Sequence, residues 1–195
     1  MPNLFKACST LMFAALLLAG PAAQAAQDAQ APAQNPAIVL LKDMGKAIKI
    51  TEGTGPKTLY VFFDPNCPFC HKLFEELRPY VKKHEVTVHW IPVGILTSTS
   101  PGKAAAILQS KDRLKAFYQS EHDWGFNDSP GGGIAPLQNP SAKTLKELET
   151  NDNLLADHGL NGVPVTLFAT TDGSAYYFEG TPPADKLAEI MPYVK

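Results

Sequence analysis

Cysteine is scarce in this chain, and runs of like charge are absent. The 195 residues include 3 cysteines, and 17 basic residues nearly balance 19 acidic ones. Setting aside Cys8 in the N-terminal apolar stretch leaves two cysteines, too few for a structural disulfide framework, so reactive cysteines are favoured. Because the net charge is slightly negative and no basic run occurs, neither nucleic acid nor an anionic membrane surface is expected as a partner.

The apolar stretch at the N-terminus is too short to cross a bilayer as a helix. Residues 1–25 instead predict a secretory signal peptide. Lys6 supplies the positive charge, residues 11–19 form the apolar centre, and Ala23-Gln24-Ala25 fits a cleavage site. Export places the remaining residues, about 170, in an oxidising compartment, and that length suits one domain of ordinary size.

Residues 26–57 predict a leader with little structure ahead of a main domain at residues 58–195. The Ala-, Gln- and Pro-rich stretch at residues 26–34 has nothing to bury and is expected to be disordered. Asn35-Pro36 fits the start of a short helix that stops at Gly45. A short strand is expected at residues 48–51.

A strand followed directly by a helix forms the centre of the pattern. Five apolar residues at positions 59–63 predict a buried strand, which the Pro65-Asn66 pair breaks. A helical pattern of apolar residues then starts at the two cysteines and includes Cys70, Phe74, Leu77 and Val81. The Cys67-x-x-Cys70 pair therefore lies on a first helical turn, where its two sulfurs can come within bonding distance.

The helix N-terminus predicts unequal roles for the two cysteines. Unpaired N–H groups and the positive end of the helix dipole stabilise a thiolate at Cys67 more than at Cys70. Pro68 fits the first helical position, which leaves the N–H groups of Phe69 and Cys70 to face the sulfur. We therefore expect Cys67 to face solvent and attack, with Cys70 behind it as the resolving cysteine.

Two interpretations of His71 stay open. In the first, His71 lies four residues after Cys67 on the same helical face and adds positive charge below a pH of about 6.5. In the second, it is a solvated surface histidine.

Three other classes of protein compete with a thiol-exchange protein. Residues 67–71 also match the Cys-x-x-Cys-His attachment motif of c-type haem, although an apolar strand directly before the motif is not typical of that class. A copper or zinc module is the second alternative, but two cysteines and His71 supply three ligands at most. A peptide-binding chaperone with an incidental cysteine pair is the third.

The remainder of the chain predicts a strand, several helices and a hairpin. Pro79 is expected to kink or end the first helix. The later elements are a strand at residues 86–93, helices near 100–108, 111–122 and 139–158, a mobile loop at 123–138, and strands at 163–168 and 175–179. A closing helix starts near Pro183. This order predicts an α/β, thioredoxin-like fold with a helical insertion at about residues 97–159.

In residues 58–195 the chain resembles the bacterial periplasmic thiol:disulfide interchange proteins of the DsbC/DsbG type, and DsbG in particular. The stretches that carry the resemblance are residues 61–71, the helix from Ser100-Pro101 with residues 104–108, residues 151–155, and Gly162-Val163-Pro164. The cysteine pair alone is widespread. Its combination in order with the other three stretches is fairly specific.

The resemblance implies a thiol:disulfide oxidoreductase in which Cys67 and Cys70 form a redox-active disulfide. It implies that Pro164 is a cis-proline that positions the substrate together with Val163. Pro68, Phe69 and His71 are expected to support the pair. The implied location is the periplasm, with cysteine-containing exported proteins as substrates, a DsbD-like membrane electron donor as redox partner, and no cofactor or metal.

Two departures from the family pattern accompany the resemblance. Family members carry an N-terminal dimerisation domain and a linker helix, whereas about 30 residues precede the main domain here, so a monomer is expected. Val163 stands where DsbC and DsbG have threonine, which resembles the oxidase DsbA. A DsbA-like oxidase recharged by a DsbB-like acceptor is therefore the alternative function. The buried aspartate of thioredoxin is also replaced, by Val61, and Asp64 is interpreted as a helix cap.

Overall fold

The computed structural model describes residues 35–125 and 131–195. The predicted signal peptide and disordered leader lie outside the described residues, as do residues 126–130 of the predicted mobile loop. In the part of the chain that the structure describes, no helix has both the length and the apolar character needed to cross a membrane.

A mixed sheet of five strands forms the centre of the protein, in the order β1-β3-β2-β4-β5. The strands are β1 (Ile50–Gly53), β2 (Lys57–Phe63), β3 (Val86–Pro92), β4 (Val165–Ala169) and β5 (Ala175–Glu179). The central strands β2 and β3 are parallel, and the other neighbouring pairs are antiparallel. A parallel pair needs a crossover connection, and a helix supplies it here.

Six α-helices and one short 3-10 helix surround the sheet in the described residues. They are α1 (Pro36–Asp43), α2 (Pro68–Lys82), α3 (Ser100–Gln109), α4 (Arg113–His122), α5 (Ala142–Asp157), α6 (Ala184–Ile190) and the 3-10 helix Met191–Tyr193. The crossover helix between β2 and β3 is α2. Helices α3, α4 and α5 all lie between β3 and β4, which is the element order predicted from the sequence.

The alternation of side chains along β2 divides the core into two layers. Val61 and Phe63 pack with Phe74 of α2 on one face of the sheet. Phe62 packs with Leu40 of α1 and residues of α5 on the other face. Because both faces of this strand are buried, residues 59–63 are apolar throughout instead of alternating with polar residues.

One local prediction is wrong, and a second is wrong in part. The first strand lies two residues later than expected, at Ile50–Gly53, because the partner of Ile50 across the ladder is Trp90 of β3. Pro79 was expected to kink or end α2, and the second alternative is wrong because α2 continues to Lys82. A kink at Pro79 stays a prediction. Pro79 has no N–H, so the helix loses one main-chain hydrogen bond there. The burial of Leu77 and the ion pair between Arg78 and Glu52 of β1 stabilise the last turn and offset this loss.

Candidate active site

Cys67 is the N-cap residue of α2, and its sulfur serves as the acceptor of the first helical turn. The sulfur accepts a hydrogen bond from the main-chain N–H of Cys70, with 3.2 Å between the nitrogen and Sγ. Pro68 follows at the first helical position, where a missing N–H costs least. The Cys67 sulfur therefore lies at the positive end of the helix dipole.

The pKa values of the two cysteines are shifted in opposite directions. The hydrogen bond from the Cys70 thiol is the largest influence on Cys67 and lowers its pKa below the ordinary value, although burial opposes it. The main-chain N–H groups of Cys70 and Phe69 lower the pKa of Cys67 further, as the sequence predicted. Burial is the largest influence on Cys70 and raises its pKa well above the ordinary value. Both cysteines are free thiols in this structure.

The expectation that Cys67 faces solvent is wrong. Only 2 % of its surface is exposed, the same fraction as for Cys70. The reason is the loop before β4, whose Val163 carbonyl oxygen lies 3.4 Å from Sγ of Cys67 and accepts a hydrogen bond from the thiol. Because a thiolate has no proton to donate, this contact loses its hydrogen bond when Cys67 ionises.

The covering loop contains the cis peptide bond Val163–Pro164. The structure thus brings Val163 next to the cysteine pair, from 96 residues away in the chain. The segment after β5 joins this loop to α2. Gly180 donates its main-chain N–H to the Pro164 carbonyl at 2.7 Å, and the Thr181 hydroxyl donates to the Phe69 carbonyl.

Asp64 is fully buried just before the cysteines and accepts four hydrogen bonds. Oδ1 accepts from the Asn66 main-chain N–H at 2.8 Å and the Ser100 hydroxyl at 2.7 Å. Oδ2 accepts from the main-chain N–H groups of residues 95 and 96 at 2.8 and 3.0 Å. The interpretation of Asp64 as a helix cap is wrong, because Cys67 holds that position. Asp64 instead ties the loop after β3 to the turn before α2.

The insertion also braces this turn. Lys103 of α3 donates to Oδ1 of Asn66 at 2.8 Å and to the Gly132 carbonyl at 2.7 Å. The Gly132 N–H donates to the Pro65 carbonyl at 2.7 Å. A Cβ at Gly132 would lie 2.1 Å from Oγ of Ser120 on α4, so this close approach requires glycine.

His71 contacts the insertion instead of solvent. Its Nδ1 lies 3.1 Å from Oε2 of Glu121 on α4. Its ring stacks on Trp124, with the ring centroids 4.6 Å apart. The interpretation as a solvated surface histidine is therefore wrong. A contribution of His71 to the charge near Cys67 stays a prediction.

Glu121 is the residue near the cysteines that the sequence did not single out. It is 2 % exposed. Burial raises its pKa above the usual value, and the hydrogen bond with His71 acts in the opposite direction. No pattern along α4 distinguishes this glutamate from a surface residue, because its partner His71 is 50 positions away.

Residues 35–125 and 131–195 contain no group of three or more His, Cys, Asp or Glu side chains placed to hold a metal ion. The chemistry that the described site can perform is that of two neighbouring thiols of unequal acidity beside a cis-proline loop.

The chain belongs to the family of thioredoxin-like domains, whose family model matches residues 44–195. The predicted α/β, thioredoxin-like fold class is therefore confirmed.

Two curated relatives are thiol:disulfide interchange proteins named DsbG. The protein from Pseudomonas aeruginosa is 34 % identical over 136 residues, which cover 70 % of this chain and 51 % of the relative. The protein from Escherichia coli is 33 % identical over 139 residues, which cover 70 % of this chain and 53 % of the relative. The chain spans about half the length of these relatives. The resemblance to DsbG-type proteins is confirmed.

Solved structures share the fold. A periplasmic thioredoxin-like protein from Salmonella enterica serovar Typhimurium matches with a TM-score of 0.59 at 22 % identity, covering 83 % of this chain and 97 % of that one. ScsC from Proteus mirabilis in a compact conformation matches with a TM-score of 0.61 at 18 % identity, covering 80 % and 78 %. At these identities the matches show the fold alone.

Proposed function

We propose that this chain is a thiol:disulfide oxidoreductase that exchanges disulfides with exported proteins, or reduces their oxidised cysteines. The observation that carries the proposal is that the pKa values of the two neighbouring cysteines are shifted in opposite directions. The pKa of Cys67 is lowered by the hydrogen bond from the Cys70 thiol, and the pKa of Cys70 is raised by burial. Thiol exchange needs one thiol that ionises readily and a second that is held back until an intermediate has formed.

The proposed reaction has two exchange steps. The Cys67 thiolate attacks one sulfur of a substrate disulfide, and the other substrate sulfur leaves as a thiolate. Deprotonated Cys70 then attacks the Cys67 sulfur of this mixed disulfide, and the second substrate sulfur leaves. The substrate gains two electrons, and the protein loses two as the Cys67–Cys70 disulfide forms. The same steps in reverse oxidise a substrate.

The loop before β4 is the proposed positioning surface for the substrate chain. Its Val163 carbonyl occupies the approach to the Cys67 sulfur, so a substrate must displace this contact. Phe69, which is 62 % exposed, offers an apolar contact beside the covered sulfur. Pro68 and His71 support the pair by starting α2 and by joining it to the insertion.

We place this activity in the periplasm, where a DsbD-like membrane donor returns electrons to the pair. The pattern of residues 1–25, which fits a secretory signal peptide, supports the periplasmic location. The names of the DsbG relatives support thiol:disulfide interchange as the activity. A monomer is the proposed working form.

A DsbA-like oxidase, recharged by a DsbB-like acceptor, is the second candidate. The lowered pKa of Cys67 favours it, because an interaction that stabilises this thiolate stabilises the reduced protein and makes the disulfide a stronger oxidant. Proteins of this fold span about 150 mV between thioredoxin and DsbA, or roughly 7 kcal/mol. The direction of electron flow in the cell therefore decides between the two candidates.

Trapping in the periplasm tests the exchange activity. The Cys70→Ala variant lacks the resolving thiol, so we expect substrates to remain bound to Cys67 as disulfide-linked adducts that a reductant releases. The matched control is the double variant Cys67→Ala, Cys70→Ala, which should form none. If the Cys70→Ala variant forms no adduct, the proposal is overturned.

The redox state of the wild-type pair tests the direction. Acid quenching followed by alkylation of free thiols should find Cys67 and Cys70 reduced in cells with the membrane donor, and oxidised when that donor is removed. A pair that stays oxidised in cells with the donor identifies the oxidase instead.

A further inference from the structure

A cavity of about 900 Å³ lies between the β4–β5 hairpin and the helical segment that follows β5. Its lining is largely aromatic and includes Phe168 of β4, Tyr176 and Phe178 of β5, and Tyr193 of the 3-10 helix. None of its lining residues belongs to the cysteine site. We call it the hairpin cavity. Its volume is typical of cavities that bind ligands.

Main-chain contacts join the two sides of the hairpin cavity. Thr171 donates its N–H to the Tyr193 carbonyl at 3.1 Å, and Thr170 forms a β-bridge with Val194. Tyr176 and Tyr193 nevertheless leave 51 % and 64 % of their surfaces exposed. Exposed aromatic side chains around a preformed cavity indicate a binding surface.

The charges in the hairpin cavity suit a cation. Its two charged lining residues, Asp172 and Glu189, are both acidic. The hydrogen bond from Thr170 lowers the pKa of Asp172, which keeps this carboxylate ionised. Glu189 pairs with Lys186 at 2.8 Å, but both side chains are exposed, and a pair of this kind is weak enough for a ligand to displace. Aromatic faces also attract cations.

The neighbouring strand β5 forms one edge of the sheet, with β4 on its inner side. In an antiparallel pair, alternate residues bond to the neighbouring strand, and the residues between them point their main-chain groups away from it. Gly180 donates its N–H to the Pro164 carbonyl, so every second residue before Gly180 bonds to β4. The N–H and C=O groups of Tyr177 and Glu179 therefore point outward, where the described sheet has no further strand.

The hairpin cavity lies along this open edge. Tyr176, Tyr177 and Phe178 all line it, although Tyr177 packs on the opposite face of the sheet from Phe178. The cavity therefore meets the main chain of β5 as well as its side chains. A chain paired with the edge would direct alternate side chains to the cavity face.

We propose that the hairpin cavity and the edge of β5 bind an extended basic peptide segment of another protein. The segment pairs antiparallel with β5, and an arginine side chain of the segment enters the cavity. Its guanidinium stacks on the aromatic rings and bonds to the carboxylates of Asp172 and Glu189. The residues on either side of the arginine bond to the outward main-chain groups of Tyr177 and Glu179. This site goes beyond the proposed thiol exchange and involves no thiol.

A second copy of this chain is a less suitable occupant. Pairing of two β5 edges about a twofold axis would place the same surface on both sides of the contact. The acidic residues Asp172, Glu179 and Glu189 would then approach like charges, which oppose pairing. A basic segment has the complementary charge.

Amide NMR spectra of the isotope-labelled protein test the proposal. The probe is the capped peptide threonine-valine-arginine-valine-threonine, which has no cysteine. In one matched peptide citrulline replaces arginine and removes the charge while keeping the shape. In a second matched peptide both valines are N-methylated, which removes the main-chain donors that would pair with β5.

Two pairs of protein variants accompany the peptides. Tyr193→Ala removes an exposed aromatic side chain from the cavity, and Leu145→Ala removes an exposed apolar side chain from α5 as its control. Glu189→Lys reverses a charge in the cavity. Its control is Glu149→Lys, because Glu149 likewise pairs with a lysine three residues before it on an exposed helix surface.

We expect the arginine peptide to shift the amide signals of residues 176–179 in a saturable way. Citrulline or N-methylation should weaken binding about tenfold, and Tyr193→Ala or Glu189→Lys about fivefold or more. Leu145→Ala and Glu149→Lys should bind the arginine peptide as the wild type does. Unchanged spectra of the free variants outside the cavity confirm that they fold.

Three results would overturn the proposal. They are the absence of shifts at residues 176–179, equal binding of the citrulline peptide, and equal binding of the N-methylated peptide. Sedimentation of the free protein tests the other occupant, since a dimer that Tyr193→Ala dissociates would assign the site to a second copy. Because the probe has no thiol, none of these results bears on the proposed thiol exchange.

Discussion

The main-chain N–H of Cys70 points at the sulfur of Cys67 across 3.2 Å, so the residue that we propose as the resolving cysteine also contacts the proposed nucleophile. The Cys70 thiol adds the largest single contribution to the acidity of Cys67. The reactivity of one cysteine is therefore a property of the pair.

The first prediction concerns this dependence. Cys67 should react with iodoacetamide as a thiolate at pH values below the ordinary cysteine pKa of about 8.5, because its own pKa is lowered. In Cys70→Ala the hydrogen bond from the thiol is lost, so the pKa of Cys67 should rise. Cys70→Ser keeps a donor and should raise it less. The measurement is the alkylation rate as a function of pH, and equal pKa values in the wild type and Cys70→Ala would contradict the assignment.

The second prediction concerns Asp64. The Asp64 carboxylate accepts hydrogen bonds through both of its oxygens. In Asp64→Asn one of these oxygens is replaced by an NH2 group, which cannot accept, so some buried donors lose their partner. The free energy of unfolding should therefore fall by about 3 kcal/mol. The Asp64 charge also raises the pKa of Cys67, so the same variant should lower that pKa. Denaturant unfolding and the alkylation profile measure the two effects. Asp185→Asn, at an exposed site on α6, is the control. A Cys67 pKa that does not fall in Asp64→Asn would contradict the effect of the Asp64 charge.

The third prediction concerns Glu52, a buried carboxylate at the junction of β1, α2, β3 and α4. It accepts hydrogen bonds from Arg78 at 2.7 Å, Trp90 at 2.8 Å and Tyr118 at 2.6 Å. Glu52→Gln leaves Arg78 without its charged partner, so we expect a loss of about 3–5 kcal/mol in unfolding free energy. Glu149→Gln, on the exposed side of α5, should change it by less than about 0.5 kcal/mol. Similar values for the two variants would contradict a structural role for the Glu52 cluster.

The fourth prediction follows from Tyr118 in the same cluster. Burial, together with the hydrogen bond to Glu52, raises the pKa of Tyr118 to about 12. Because the raised pKa favours the neutral phenol in the folded state, the associated stability is complete below pH 10 and is lost as the pH rises towards 12. Absorbance titration of the tyrosines should resolve one late group, which disappears in Tyr118→Phe. In Glu52→Gln this group should titrate earlier, and an unmoved titration would disprove the contact.

The sequence predicted the parts of the site that depend on neighbours along the chain. The apolar strand, the break at Pro65-Asn66 and the helix that starts at the cysteines follow from local patterns, and so does the higher acidity of Cys67. The burial of Cys67 by the loop before β4 was not predicted, because Val163 of that loop is 96 residues away from Cys67 in the chain. Glu121 was missed for the same reason, since helix periodicity does not show which face of α4 meets α2.

The Gly132 contact shows how far the reactive turn depends on the inserted segment. The Gly132 N–H satisfies the Pro65 carbonyl, and the space there admits no side chain. In a minimal scaffold that kept only the sheet and α2, the Pro65 carbonyl would lose this donor and would bind solvent water instead. Grafting residues 64–71 onto such a scaffold would therefore transfer the two thiols without the rigid entry to the helix on which their unequal acidity depends.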